Sequence, residues 1–339
     1  MMRVDAYTHF IPTRFYKEVM SSGEHRDIGK RMMGVPSIYD VKKRLKVVDK
    51  FKDYSQILSY PMPPFEMMTK NGRQAEEYAK IVNDGFAELC AKYPDHFPGW
   101  VAQAPMSAPD VGVREAKRAM KMGALGVQIY TNVAGKPLDD RKFAPFWRAM
   151  NKTKTPVWMH PSRSARFADY VGEPKSKYEM WWALGWSYET AAAMSRLVFS
   201  GIMDKNPDLK IITHHFGGIV PMLEGRIGYG WDQMGARTSD EDLTKVKKSL
   251  KKKRPLNYFK ESFYTDTAVF GGKPATECGL AFYPTEKIVF ASDCPFDPEK
   301  GTFYIRETLR ILDSIDMSNA KRKAIMHGNL EKLVGRKLT

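Results

Sequence analysis

Short apolar stretches rich in β-branched and aromatic residues alternate along this chain with longer segments whose apolar positions recur at helical spacing. Eight of the short stretches read as strands, at residues 4–10, 55–60, 97–104, 123–131, 155–160, 209–216, 262–267 and 287–292. Between them, residues 75–92 set Ala79, Ile81, Val82, Phe86 and Leu89 roughly along one helical face. Residues 189–205 do the same with Ala192, Leu197, Val198 and Met203. Strands that take turns with helices build βα units and a parallel sheet, and eight such units close into a barrel. The expected architecture is a single (β/α)8 TIM barrel domain of the α/β class over residues 1–339. Two long connections, 11–37 after the first strand and 161–186 after the fifth, lie on the side where such barrels hold their chemistry.

Composition narrows the setting. The apolar and charged fractions are those of an ordinary globular protein, with no run of eighteen apolar residues and no basic-then-apolar start. Neither a membrane span nor a secretory signal is expected, and a cytoplasmic location is the default. Cys90, Cys278 and Cys294 are far apart and lack Cys-x-x-Cys spacing, which argues against a disulfide framework or a thiolate zinc cluster. The formal charge of +15 fits nucleic acid, an acidic surface or anionic small substrates. Much of the excess lies in residues 245–254, "KVKKSLKKKR", which read as a solvated face, and no nucleic-acid motif accompanies them. A small anionic substrate is therefore the expected partner. Trp181, Trp182 and Trp186 in "YEMWWALGW" either floor an aromatic pocket or fill the core or a subunit interface, with the second placement ahead.

The polar residues at the strand ends change the picture most. His9 ends the first strand, His160 the fifth in "VWMHP", His214 and His215 the sixth in "IITHHFGG", and Asp293 the eighth in "VFASDCP". Any one of these alone is ordinary as a satisfied buried group. Four strand ends on one barrel face converge on the axis, and that is hard to reach by accident. Two imidazoles and a carboxylate with an open position suit a divalent ion such as zinc.

With these motifs stand "GALGVQIYTNVAGKPLDDRKFAPFWRAM", "ETAAAMSRLVFSGIMDKNPDLKIITHHFGGIVPMLEGRI", "SFYTDTAVF", "VFASDCPFDPEKG" and "HGNLEKLVG". Through them the chain resembles, over nearly its whole length, the amidohydrolase-related decarboxylases, the family of 2-amino-3-carboxymuconate-6-semialdehyde decarboxylase and the γ-resorcylate type benzoate decarboxylases. The resemblance implies a (β/α)8 barrel, one divalent metal at the strand ends, zinc or else manganese, and non-oxidative release of CO₂. Residue by residue it implies His9, His160 and Asp293 as metal ligands, with Asp293 also relaying a proton. It aligns His215, rather than His214, with the catalytic histidine. Arg226 matches a substrate-carboxylate clamp reaching across a homodimer interface; its alternative is an ordinary surface arginine.

Tyr7 departs from the pattern, because the family has histidine or glutamate there and a phenol titrating near pH 10 is a poor ligand. Three readings follow: a site of three protein ligands with Tyr7 facing the substrate, a tyrosinate ligand, or loss of the metal, the first being favoured. The expected function is metal-dependent non-oxidative decarboxylation of a small aromatic or muconate-type acid. The rival is a metal-dependent hydrolase or hydratase acting on a lactone or unsaturated keto acid, and behind it a metal-free binding protein.

Overall fold

The computed structural model describes residues 1–21, 29–236, 243–252 and 254–339. Eight parallel strands follow one another around a single sheet in chain order: Arg3–His9, Tyr54–Ser59, Gly99–Gln103, Gly126–Tyr130, Pro156–His160, Lys210–Thr213, Phe263–Asp266 and Ile288–Val289. Between the first and eighth strands, the Ala6 amide donates to the Phe290 carbonyl at 2.8 Å and the His9 amide to the Cys294 carbonyl at 2.7 Å. These bonds bring the sheet round into a barrel, with helices on the connections between strands.

All eight expected strands are present, most of them shorter than their apolar runs. The run at 123–131 begins with Gly123 in a turn at φ +98°, and that at 209–216 ends with His215 and Phe216 at φ +57° and +52°. The chain stays buried through the second of these turns, where its apolar character outlasts its extended conformation. The helix at 75–92 spans Gly72–Lys92 and starts at Asn71, whose side chain accepts from the Gln74 amide. The segment 189–205 forms two helices, Gly185–Phe199 and Ile202–Lys205, which part at Gly201, φ +73°. Ala79, Val82 and Phe86 of the first and Leu197, Val198 and Met203 of the second are buried in the larger apolar cluster.

A smaller cluster holds Val4, Ala6, Tyr7, Ile57, Val101, Trp158, Ile212 and Val289, with Leu330, Leu333 and Leu338 beside them. Strict alternation would send Ala6 and Tyr7 to opposite faces. The pairing of the first two strands slips by one residue between Asp5 and Thr8, a β-bulge. It lets Ala6 and Tyr7 share one cluster, and ordinary alternation then sets His9, two residues further on, on the face of Tyr7. His160 likewise stands two residues above Trp158, and His214 two above Ile212. The imidazoles thus form a polar layer on an apolar one.

The basic run lies on the surface. Among its described residues, Lys252 pairs with Glu261 at 2.7 Å and Arg254 with Asp232 at 3.1 Å. Cys90, Cys278 and Cys294 are free thiols. Among the described residues no helix is long and apolar enough to cross a membrane.

Candidate metal centre and active site

Six groups at the strand ends meet. His9 Nε2 lies 2.9 Å from Asp293 Oδ1, and His214 Nε2 lies 3.3 Å from the same oxygen. The ligand nitrogens of His9, His160 and His214 all fall within 4.8 Å of one another. His215 stacks on His214 with ring centroids 3.7 Å apart. Asp266, the last residue of the seventh strand, takes His214 Nδ1 at 2.5 Å on one oxygen. On the other it accepts the His215 and Ala268 amides, both at 3.0 Å.

The partners of the Nδ1 atoms fix the tautomers. His160 Nδ1 is 2.6 Å from the Pro161 carbonyl, and His215 Nδ1 is 2.5 Å from the Ala268 carbonyl; a carbonyl only accepts, so each Nδ1 carries the proton. Ser59 Oγ donates to the Thr8 carbonyl and therefore accepts from His9 Nδ1 at 3.1 Å. The lone pair of His9 thus sits on Nε2, facing the carboxylate of Asp293. Among the described residues Nε2 of His9 finds no hydrogen-bond partner although it is fully buried. Two acceptors 2.9 Å apart in a dry interior repel unless a cation lies between them. The donor set fits a divalent metal: imidazole nitrogens with their outer protons pinned, one carboxylate, and an edge open to a cavity.

The electrostatics keep His9 and His160 neutral. Burial, reinforced by the neighbouring rings, holds His160 well below its ordinary value, and burial also lowers His9. Burial opposes ionisation of Asp293, but neighbouring imidazoles, His214 foremost, outweigh it and keep this carboxyl well below the usual range. Burial likewise opposes a charged His214, yet Asp266 and then Asp293 lift it to about 9. Burial first, then His214, lowers His215 to about 4, so its ring is neutral near pH 7.

Above the layer opens a cavity of about 390 Å³ lined by Lys30, Arg31, Glu179, Trp181, Trp182, Trp186, Phe270, Asp293 and Phe296. That volume suits one small ring. The guanidinium of Arg31 lies 5.2 Å from the Trp182 ring centre and 5.4 Å from that of Phe296, and it donates to the Phe296 carbonyl. Asp293, His215 and Phe270 all hold positive φ, +66°, +57° and +57°, a conformation that costs free energy and gathers at functional sites.

His9, His160 and Asp293 therefore come together as their strand-end positions imply, with His215 one ring away. His214, left without a role by the alignment, points its Nε2 into the centre. Tyr7 is fully buried, its ring 4.1 Å from that of His214, and its hydroxyl finds no partner among the described residues. Burial, then Asp266 and Asp293, push this phenol well above its ordinary value, which disfavours the tyrosinate. Arg226 is exposed on the helix Glu224–Tyr229 and does not line the cavity of its own chain; Glu224 pairs instead with Lys260. The three tryptophans, for which core or interface was ahead, surround the cavity. Sequence reasoning missed Asp266, Lys30 and Arg31. An acid closing a strand in "YTDTA" was a signal for the first. Lys30 and Arg31 lie in a polar connection where nothing in the pattern singles them out.

The family model described as amidohydrolase matches residues 4–336. The chain belongs to this family. A γ-resorcylate decarboxylase of Rhodococcus jostii is 28% identical over 338 residues, covering 94% of this chain and 91% of the relative. A 2-amino-3-carboxymuconate-6-semialdehyde decarboxylase of Dictyostelium discoideum is 25% identical over 313 residues, with 87% and 82% covered. Among solved structures, the dihydroxybenzoic acid decarboxylase of Polaromonas sp. JS666, with bound manganese and the inhibitor 2-nitroresorcinol, superposes with a TM-score of 0.77 at 24% identity. It covers 98% of this chain and 97% of its own, and the likeness establishes the shared barrel.

Proposed function

We propose that this amidohydrolase-family protein is a divalent-metal-dependent carboxy-lyase that releases CO₂ from a small hydroxylated aromatic acid. The observation that carries the reading is the pairing of a metal-type donor cluster, His9, His160 and Asp293, with a one-ring cavity that has aromatic walls and two cations at its edge. The named decarboxylases among the relatives support it.

A bound divalent ion supplies a Lewis acid that draws in adjacent oxygens of the substrate and neutralises their charge. The protein's own residues do the rest. Trp182, Trp186, Phe270 and Phe296 bury the flat ring and exclude water, while Lys30 and Arg31 favour an anion. Arg226 supplies a further carboxylate clamp to the site of a partner subunit in a homodimer. Loss of CO₂ needs a proton on the ring carbon that carries it. His215, neutral and with Nδ1 pinned, offers Nε2 as an acceptor for the substrate's hydroxyl proton, and Asp293, ionised at the cavity floor, relays that same proton to the ring carbon as the bond to CO₂ breaks.

A screen of ortho-hydroxybenzoates and muconate-type acids, read as CO₂ release with zinc or manganese loaded, tests the reading. At least one acid should lose CO₂ and chelation should stop it. Turnover of lactones or unsaturated keto acids with no CO₂ from any acid would replace it with hydrolysis or hydration.

A further inference from the structure

The centre contains one imidazole more than the three-ligand reading uses. We propose that His214 is a protein ligand of this chain's metal, so that the sixth strand supplies the donor that Tyr7, two residues before His9 on the first strand, does not. The inference rests on the metal reading above and adds the identity of a ligand.

Two groups of side chains are close enough to hold an ion, His9 with His160 and His214, and His214 with His215 and Asp266. The second has spent its carboxylate. Both Asp266 oxygens accept protein N–H groups and His215 Nδ1 is bound to the Ala268 carbonyl. In the first, two of the nitrogens flank Asp293 Oδ1, His9 Nε2 at 2.9 Å and His214 Nε2 at 3.3 Å. Two donors each about 2.1 Å from one tetrahedral ion are about 3.4 Å apart, so both spacings are those of atoms sharing a small cation.

His214 is also built as ligands are. Asp266 fixes Nδ1 at 2.5 Å and is itself locked by two backbone amides, the carboxylate–imidazole support that orients a metal-bound histidine and raises its basicity. Beneath it, the Tyr7 ring packs at 4.1 Å and a tilt of 38°, and fills the space beside His9 with an uncharged aromatic face. The hydroxyl without a partner marks Tyr7 as a packing residue whose ring matters more than its oxygen. The resulting set, three imidazoles and one carboxylate, leaves His215 free for the substrate.

Metal titration followed by dialysis and elemental analysis separates these roles. Zinc affinity should fall more than about 100-fold in His214→Asn, beyond the cost of losing a supporting residue, and about 10-fold or more in Asp266→Asn. Tyr7→Phe and His215→Asn should bind as the wild type does. As a measurement that needs no variant, pulsed electron paramagnetic resonance of copper-loaded wild-type protein should count three coordinated imidazoles. Two imidazoles, or wild-type affinity in His214→Asn while His160→Asn loses the metal, would remove His214 from the ligand set and leave the metal reading standing. Failure of the wild type to bind zinc, manganese or copper would overturn the metal reading itself.

Discussion

His214 and His215 are neighbours in sequence and stacked in space, yet their Nδ1 protons go to different places, one to a carboxylate and one to a carbonyl. The carboxylate makes His214 basic and aims it inward, whereas burial and the neighbouring His214 bring His215 down to about 4 against the pull of its carbonyl partner. The left-handed turn at His215 and Phe216 produces the split, because it rotates the second imidazole off the line of the strand. His215→Asn should keep the metal and bind substrate while turnover falls by about 100-fold, the usual scale for losing a proton-transfer group. Steady-state kinetics beside metal analysis checks this, and undiminished turnover would move the role elsewhere.

Among the strands, the seam between the eighth and the first bears on the site directly, since His9 and Asp293 approach across it at 2.9 Å. Buried Asp5 ties it together: its carboxyl accepts from Tyr54 on the second strand at 2.6 Å, from the amide and hydroxyl of Ser292, and from the Tyr7 amide. Burial outweighs these bonds and raises Asp5 from 3.8 to about 6. The folded protein then holds this proton more tightly than the unfolded chain. The stabilisation is complete below about pH 3.8 and is lost as pH rises through about 6, about 3 kcal/mol in all. Asp5→Asn cannot titrate, so its unfolding free energy relative to the wild type should rise by about that amount between about pH 4 and 7. Denaturant melts at stepped pH provide the comparison, and a difference independent of pH would contradict it.

Over the whole molecule, the cavity is made by chain segments far apart in sequence. Lys30 and Arg31 follow the first strand, Trp181 to Trp186 the fifth, Phe270 the seventh, and Asp293 and Phe296 the eighth. Arg226 sits outside this set on an exposed helix, and a role for it requires a second copy of the chain. If the clamp acts between subunits, Arg226→Ala and His215→Asn proteins, each nearly inactive alone, should recover activity when mixed after subunit exchange. In a random 1:1 mixture about a quarter of the sites then hold both groups. No recovery from exchanged hybrids would return Arg226 to the surface.

The sequence alone determined the barrel and the level at which its chemistry sits. Eight apolar runs separated by helical stripes leave few ways to bury the runs, and a histidine or aspartate ending such a run must lie at the rim. The resemblance to the decarboxylases, through the spacing back from Arg226, aligned His215 with their catalytic histidine. Which imidazoles share a centre was decided only in three dimensions. A bulge between Asp5 and Thr8 sets the facing of Tyr7 and His9, a two-residue turn separates His214 from His215, and Asp266 selects a tautomer from 52 residues away. Each depends on hydrogen bonds between distant strands, and a pattern of hydrophobic and polar positions records whether a residue is buried, not which atom it meets.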